Sequence, residues 1–158
     1  MVSAMKVFVD SSVLIEFVKG NEQAGEILSC LLELNAEVYI NDIVFSEFVF
    51  HYISLKSGLS PLTMKGKRKV GMYINEKDPR EFIDQFRILD VNESIVNMAY
   101  DFMRKYSMLP NDAIILATCK FHEIDLLVSL DRDFEEVCKL EGLRFAFSGE
   151  NIRNQSIS

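Results

Sequence analysis

"DLLVSLD", residues 125–131, is apolar at every position from Leu126 to Val128 and ends on an acid. A strand with one solvated face alternates apolar and polar residues. A strand apolar at consecutive positions has both faces covered. Sheets covered on both faces are parallel sheets flanked by helices, so this heptapeptide points to an α/β fold. "MKVFV", 5–9, reads the same way and also stops at an acid, Asp10.

Working outward, helical patterns alternate with these strands. "SSVLIEFVKG" follows Asp10, with serines to cap a helix and Gly20 to stop it. "EQAGEILSCLLEL", 22–34, predicts a helix with Ile27, Leu28, Leu31, Leu32 and Leu34 inward. "AEVYIN", 36–41, is a second strand, and 42–58 a helix with Val44, Phe45, Phe48, Val49 and Tyr52 on one stripe. A weak strand, "FRILDV" at 86–91, precedes a helix over 92–107 that Asn92 caps. "LPNDAIILATCKFHE", 109–123, is the next helix, and "RDFEEVCKLEG" and "LRFAF" supply a short helix and a last strand. Residues 59–82 are the least regular stretch and receive no fixed boundaries. The expected architecture is a three-layer α/β/α sandwich around a parallel sheet. It forms one domain over 1–148, with a polar tail over 149–158 expected to fray.

At 158 residues the chain has room for one sizeable core, and 49% hydrophobic residues exclude disorder. A net charge of −7 provides no global field to attract nucleic acid, so such a partner would need a local basic patch or bound cations. Cys30, Cys119 and Cys138 form no C-x-x-C pair and read as small core residues in a reducing compartment. "MVSAMKVFVD" does not read as a signal peptide, and no run reaches the ~18 apolar residues of a membrane span. The expected location is the cytoplasm, without a membrane partner.

Four acids stand out by position. Open α/β sheets place their sites at the carboxyl ends of strands, and Asp10 and Asp131 lie at two such ends. Glu47 falls in the first turns of the 42–58 helix. Asp112 falls in the first turn of its own helix, over Ile115, Leu116 and Cys119, which is an inward face. Each has a plain alternative. Asp112 could complement the helix dipole, worth about 0.3–1 kcal/mol. Glu47 could be solvated, and Asp10 and Asp131 could be turn residues. Converging, they would repel at about 4 kcal/mol per pair at ~4 Å and an effective dielectric near 20. Such a cluster needs protons or cations, and an all-oxygen donor set selects Mg²⁺ or Mn²⁺.

"VFVDSSVLIEF", "SEFVF", "LPNDAIILATC" and "LVSLDRDF" together resemble the four motifs of the PIN-domain nucleases, most closely the VapC-like ribonucleases of toxin–antitoxin pairs. The resemblance runs in the family's order from residue 5 to about 147. It matches the family's four acids to Asp10, Glu47, Asp112 and Asp131. Asp133 matches an auxiliary acid, and Ser12 and Ser129 match small hydroxyl positions. It implies an acidic site with one or two Mg²⁺ or Mn²⁺ ions. It also implies hydrolysis of RNA to 5′-phosphate and 3′-hydroxyl ends, a homodimer and a small antitoxin partner. Asp10 and Asp112 would be the central ligands, completed by Glu47 and Asp131. Lys65, Lys67, Arg68 and Lys69 are the candidate contacts to the RNA backbone, and Arg132 could reach a phosphate or pair with an acid. The segment 59–82 is longer than a compact toxin of this type needs, so a PIN protein of RNA processing is an alternative, as is a silent binding scaffold. Receiver and haloacid-phosphatase domains also place an Asp after the first strand. The serines of "VDSSV" occupy the positions where those folds need a second acid.

Overall fold

The computed structural model describes residues 3–75 and 77–157. Five parallel strands appear among them: β1 (Lys6–Val9), β2 (Glu37–Asn41), β3 (Arg87–Leu89), β4 (Leu126–Val128) and β5 (Arg144–Ala146). Their spatial order is β3-β2-β1-β4-β5. The chain builds outward from β1 to β2 and β3, then crosses back to lay β4 on the other side of β1. The order therefore reverses between β1 and β4, which is where open parallel sheets form their sites. Val7, Phe8, Val9 and Leu126, Leu127, Val128 are all 0% exposed, as their unbroken apolar runs require. Edge strand β3 is short and exposes Ile88.

The helices that carry the site are α1 (Ser11–Val18), α3 (Asp42–Ser57) and α7 (Pro110–Phe121), with α2 (Glu22–Glu33) and α6 (Glu93–Tyr106) beside them. Asn41 and Asn92 cap α3 and α6, accepting from the Val44 and Ile95 amides. The buried stripe of α2 is Ala24, Ile27, Cys30 and Leu31. Leu32, expected inward, lies off that stripe and is exposed, and Leu34, also expected inward, follows the helix end as its C-cap. Phe45 likewise lies off the Val44–Phe48–Tyr52 stripe of α3 and is 44% exposed.

The irregular stretch contains α4 (Pro61–Gly66), a 3₁₀ turn over Val70–Met72 and α5 (Arg80–Ile83). Phe82 anchors this stretch by stacking on Phe17 and packing against Phe48 and Phe86. After α8 (Phe134–Leu140) and β5, the expected fraying tail is instead a helix, α9 (Gly149–Ile157). It docks on α2 through Ile152, which is fully buried, through the Cys30 thiol to the Gly149 carbonyl, and through Arg153 to Glu26 and Glu33. A Cβ at Gly149 would stand 3.0 Å from Glu26 Cγ, so the bare glycine lets α9 begin against α2. The three cysteines are buried and unpaired. No helix among the described residues is long and apolar enough to cross a membrane.

Candidate active site

Asp10 leaves the end of β1 and is 5% exposed. Its Oδ2 accepts from Ser12 Oγ at 2.9 Å and from Ser129 Oγ at 2.7 Å. Each serine oxygen in turn accepts a backbone amide, Leu130 N–H on Ser12 and Asp131 N–H on Ser129. A hydroxyl has one proton to give. The two hydroxyl oxygens also lie 3.2 Å apart, and the shorter contacts, those to Asp10 Oδ2, are where their protons are best directed. Oδ1 accepts no hydrogen bond among the described residues and is not sealed from solvent. One oxygen of Asp10 is therefore fixed by protein and the other is open.

Glu47 sits in the second turn of α3. Ser11 Oγ donates to its Oε1 at 3.1 Å, and Asn111 Nδ2 approaches its Oε2 at 3.4 Å. Ser11 was expected to cap α1, but Asp10 holds the cap position, no side chain caps the helix, and the Ser11 hydroxyl goes to Glu47 instead; Asn111 was not singled out, although it stands beside Asp112. α3 is itself held against α7 from behind. Fully buried Asn41 caps α3 with its Oδ1 and donates from Nδ2 to Thr118 Oγ1 on α7 at 3.0 Å. Thr118 passes its own proton to the Ile114 carbonyl. The helices carrying Glu47 and Asp112 are thus locked by one buried polar contact.

Asp112 lies in the first turn of α7, above Ile115, Leu116 and Cys119, each 0% exposed. Its carboxyl is pushed up from 3.8 to about 6, first by burial and then by the charges of Asp10, Asp131, Glu47 and Asp133. The helix dipole favours the carboxylate by about 0.3–1 kcal/mol and is outweighed. Asp10, Asp131, Glu47 and Asp133 are thus all near enough for their charges to bear on Asp112. Asp131 contributes a second function, since its Oδ1 accepts the Asp133 amide and shapes the turn that follows β4.

The donor set suits a hard divalent cation. Every candidate ligand atom is a carboxylate oxygen, Asp10 Oδ1 is open, and the Asp112 carboxyl accepts no hydrogen bond among the described residues. Among those residues no group of three His, Cys, Asp or Glu side chains is arranged to hold an ion unaided.

None of the basic candidates pairs with the site acids among the described residues. Lys65, Lys67, Arg68 and Lys69 are exposed around the end of α4 and make no ion pair or hydrogen bond to the site acids among the described residues. Arg132 is engaged with Glu135 at 2.8 Å and lies 4.1 Å over the Phe147 ring. His51 packs on Phe50, and His122 Nε2 lies 3.0 Å from the Asp90 carbonyl, so neither histidine joins the acids.

Known proteins share this arrangement of sequence and fold. A family model described as PIN domain matches residues 7–140. Ribonuclease VapC6 of Methanocaldococcus jannaschii is 37% identical over 149 residues, covering 88% of this chain and 97% of that protein. Ribonuclease VapC2 of the same organism is 34% identical over 136 residues, covering 86% and 91%. Among solved structures, FitAcB from Neisseria gonorrhoeae is similar with a TM-score of 0.61 at 21% identity, covering 89% of this chain and 96% of that one. DNA-bound VapBC from Salmonella typhimurium gives 0.61 at 18% identity, covering 90% and 97%. At these identities the structural likeness is one of fold.

Proposed function

This chain belongs to the PIN-domain family, and on that premise we propose that it is a VapC-like endoribonuclease working with Mg²⁺ or Mn²⁺. The observation that carries the proposal is Asp112, whose carboxyl is raised to about 6 by burial and by four neighbouring carboxylates. An acid perturbed by burial and by specific charged neighbours in a cleft is a mark of a functional site. Two relatives named ribonuclease VapC, matched over nearly their whole length, support the choice of reaction.

In this reading Asp10 and Asp112 hold one or two ions, and Glu47 and Asp131 complete the site directly or through water. When bound, such an ion supplies an acidified water and offsets charge on the phosphate. The protein's own groups do the positioning. Ser12 and Ser129 fix one oxygen of Asp10 so that the other faces the ligand. Ser11 and Asn111 orient Glu47, and the Asn41–Thr118 contact keeps α3 and α7 in register. Asp133 adds negative charge beside Asp112, and its carboxylate accepts no hydrogen bond among the described residues. Lys65, Lys67, Arg68 and Lys69 contact the RNA backbone, and Arg132, braced by Glu135 and Phe147, offers its remaining N–H groups to a phosphate. No covalent protein intermediate is required.

The proposed nuclease domain occupies residues 1–148, with α9 as a brace on α2. The proposal includes a cytoplasmic location, a homodimer and a small antitoxin. The antitoxin draws support from solved neighbours described as toxin–antitoxin or VapBC complexes. Incubating purified protein with single-stranded RNA in Mg²⁺, Mn²⁺ or chelator tests the reaction. Cleavage in either ion, abolished by chelator and by Asp10→Asn, is expected. RNA left intact in both ions would instead identify a binding scaffold.

A further inference from the structure

Asp112 borders a second feature. A cleft of about 450 Å³ opens between the α6–α7 turn and the start of α8, with Asp112 in its wall. That volume falls in the range of about 300–1,000 Å³ typical of small-ligand sites. Phe134 and Val137 form its apolar side, and Leu109, 74% exposed at the rim, adds more apolar surface. The polar side is acidic. Asp133 and Glu136 both line it, and Arg132, already bound to Glu135, is the one cation among the lining residues. Glu136 has no hydrogen bond or ion pair among the described residues.

These features define what could enter. Inside the cleft a phosphate would meet Asp133 and Glu136 and gain nothing from the apolar wall, so it fits only at the edge where Arg132 can reach it. A nucleobase has flat apolar faces for Leu109 and Val137 and a polar edge for the acids. Carboxylates only accept hydrogen bonds, so the edge must donate. Guanine presents an N–H and an amino group side by side, matching the two oxygens of one carboxylate. Adenine and cytosine present one amino group each. Uracil presents a single N–H between two carbonyl acceptors, which the carboxylates repel.

We propose that this cleft seats the base beside the scissile phosphate and selects an amino-bearing base, guanine first, against uracil. The inference rests on the nuclease reading of the adjoining acids, and Glu136 is its specificity-determining residue.

Guanosine, inosine and uridine carry no phosphate, so their binding requires no metal and is independent of cleavage. Methyl resonances of Met108 and Val137 in the full chain report on the cleft. Guanosine should shift them saturably. Inosine, lacking the amino group, should bind about tenfold more weakly, the scale of one hydrogen bond to a charged group. Uridine should bind more weakly still, and Glu136→Gln should erase the guanosine preference. Equal shifts with all three nucleosides, no shift with any, or a preference retained in Glu136→Gln would overturn the inference, whatever the protein does to RNA. Sequencing product ends from a random single-stranded RNA pool gives a second reading. Guanine should be enriched over uracil next to the cut in wild type and not in Glu136→Gln. Cleavage without base bias overturns the selection and leaves the nuclease reading standing. A guanosine-selective shift without any cleavage overturns the nuclease reading alone.

Discussion

Ser129 Oγ donates to Asp10 Oδ2 at 2.7 Å across 119 residues of sequence, joining the ends of β4 and β1 where the sheet order reverses. The same oxygen accepts the Asp131 amide. One buried hydroxyl therefore sets the orientation of one candidate ligand and the backbone of another. Ser129→Ala should leave the Asp131 amide unpaired and Asp10 with a single hydroxyl donor. The expected loss is about 1–3 kcal/mol in urea unfolding, with cleavage falling about 10–100-fold. Wild-type activity in a stable Ser129→Ala protein would contradict this positioning role.

Asp112 makes stability depend on pH in a defined direction. Its folded-state value of about 6 lies above the ordinary 3.8, so between those values the folded protein holds more proton than the unfolded chain. Stability from this group is present below about pH 4 and is lost as pH rises through 6. The full shift corresponds to about 3 kcal/mol, which partial exposure to solvent reduces to about 1–2 kcal/mol. Asp112→Asn in chelator should therefore raise the melting temperature at pH 7 and change it little at pH 4. A melting temperature lowered equally at both values would show that Asp112 acts as a structural anchor instead.

Asn41 serves both α3 and α7. Asn41→Ala removes the cap on Val44 N and the bond to Thr118, at an expected cost of about 2–3 kcal/mol. Asn41→Asp keeps the cap but loses the donor to Thr118. If the buried contact positions the site, Asn41→Asp should lose cleavage out of proportion to its loss of stability. Denaturant curves alongside initial rates separate the two effects.

Much of this was readable from the chain alone, for identifiable reasons. Unbroken apolar runs ending at Asp10 and just before Asp131 located the central strands, because only a doubly covered sheet tolerates them. Helical spacing placed Asp112 over residues that are fully buried. Contacts set by how one helix seats on another were not readable. Ser11 and Asn111 meet Glu47 only because α1, α3 and α7 converge. Asn41 reads as an ordinary cap until Thr118 is brought to it. α9 was missed because its docking rests on Ile152 and on backbone and charge contacts rather than on an apolar stripe.

Ile152 gives that last point a test. It is completely buried between α9 and the rest of the core, and Ile152→Ala should cost about 2–4 kcal/mol in chemical unfolding. A change below about 0.5 kcal/mol would mean that the C-terminal segment does not brace α2 in solution.

The central claim is that Asp10, Glu47, Asp112 and Asp131 form one site for a divalent cation. Calorimetric titration of Mn²⁺ into the full chain at pH 7.5 tests it most directly. One or two ions should bind to wild type, and Asp10→Asn or Asp112→Asn, still folded by circular dichroism, should each weaken binding at least tenfold. Binding to wild type that is undetectable at millimolar Mn²⁺, or unchanged in both variants, would contradict the account.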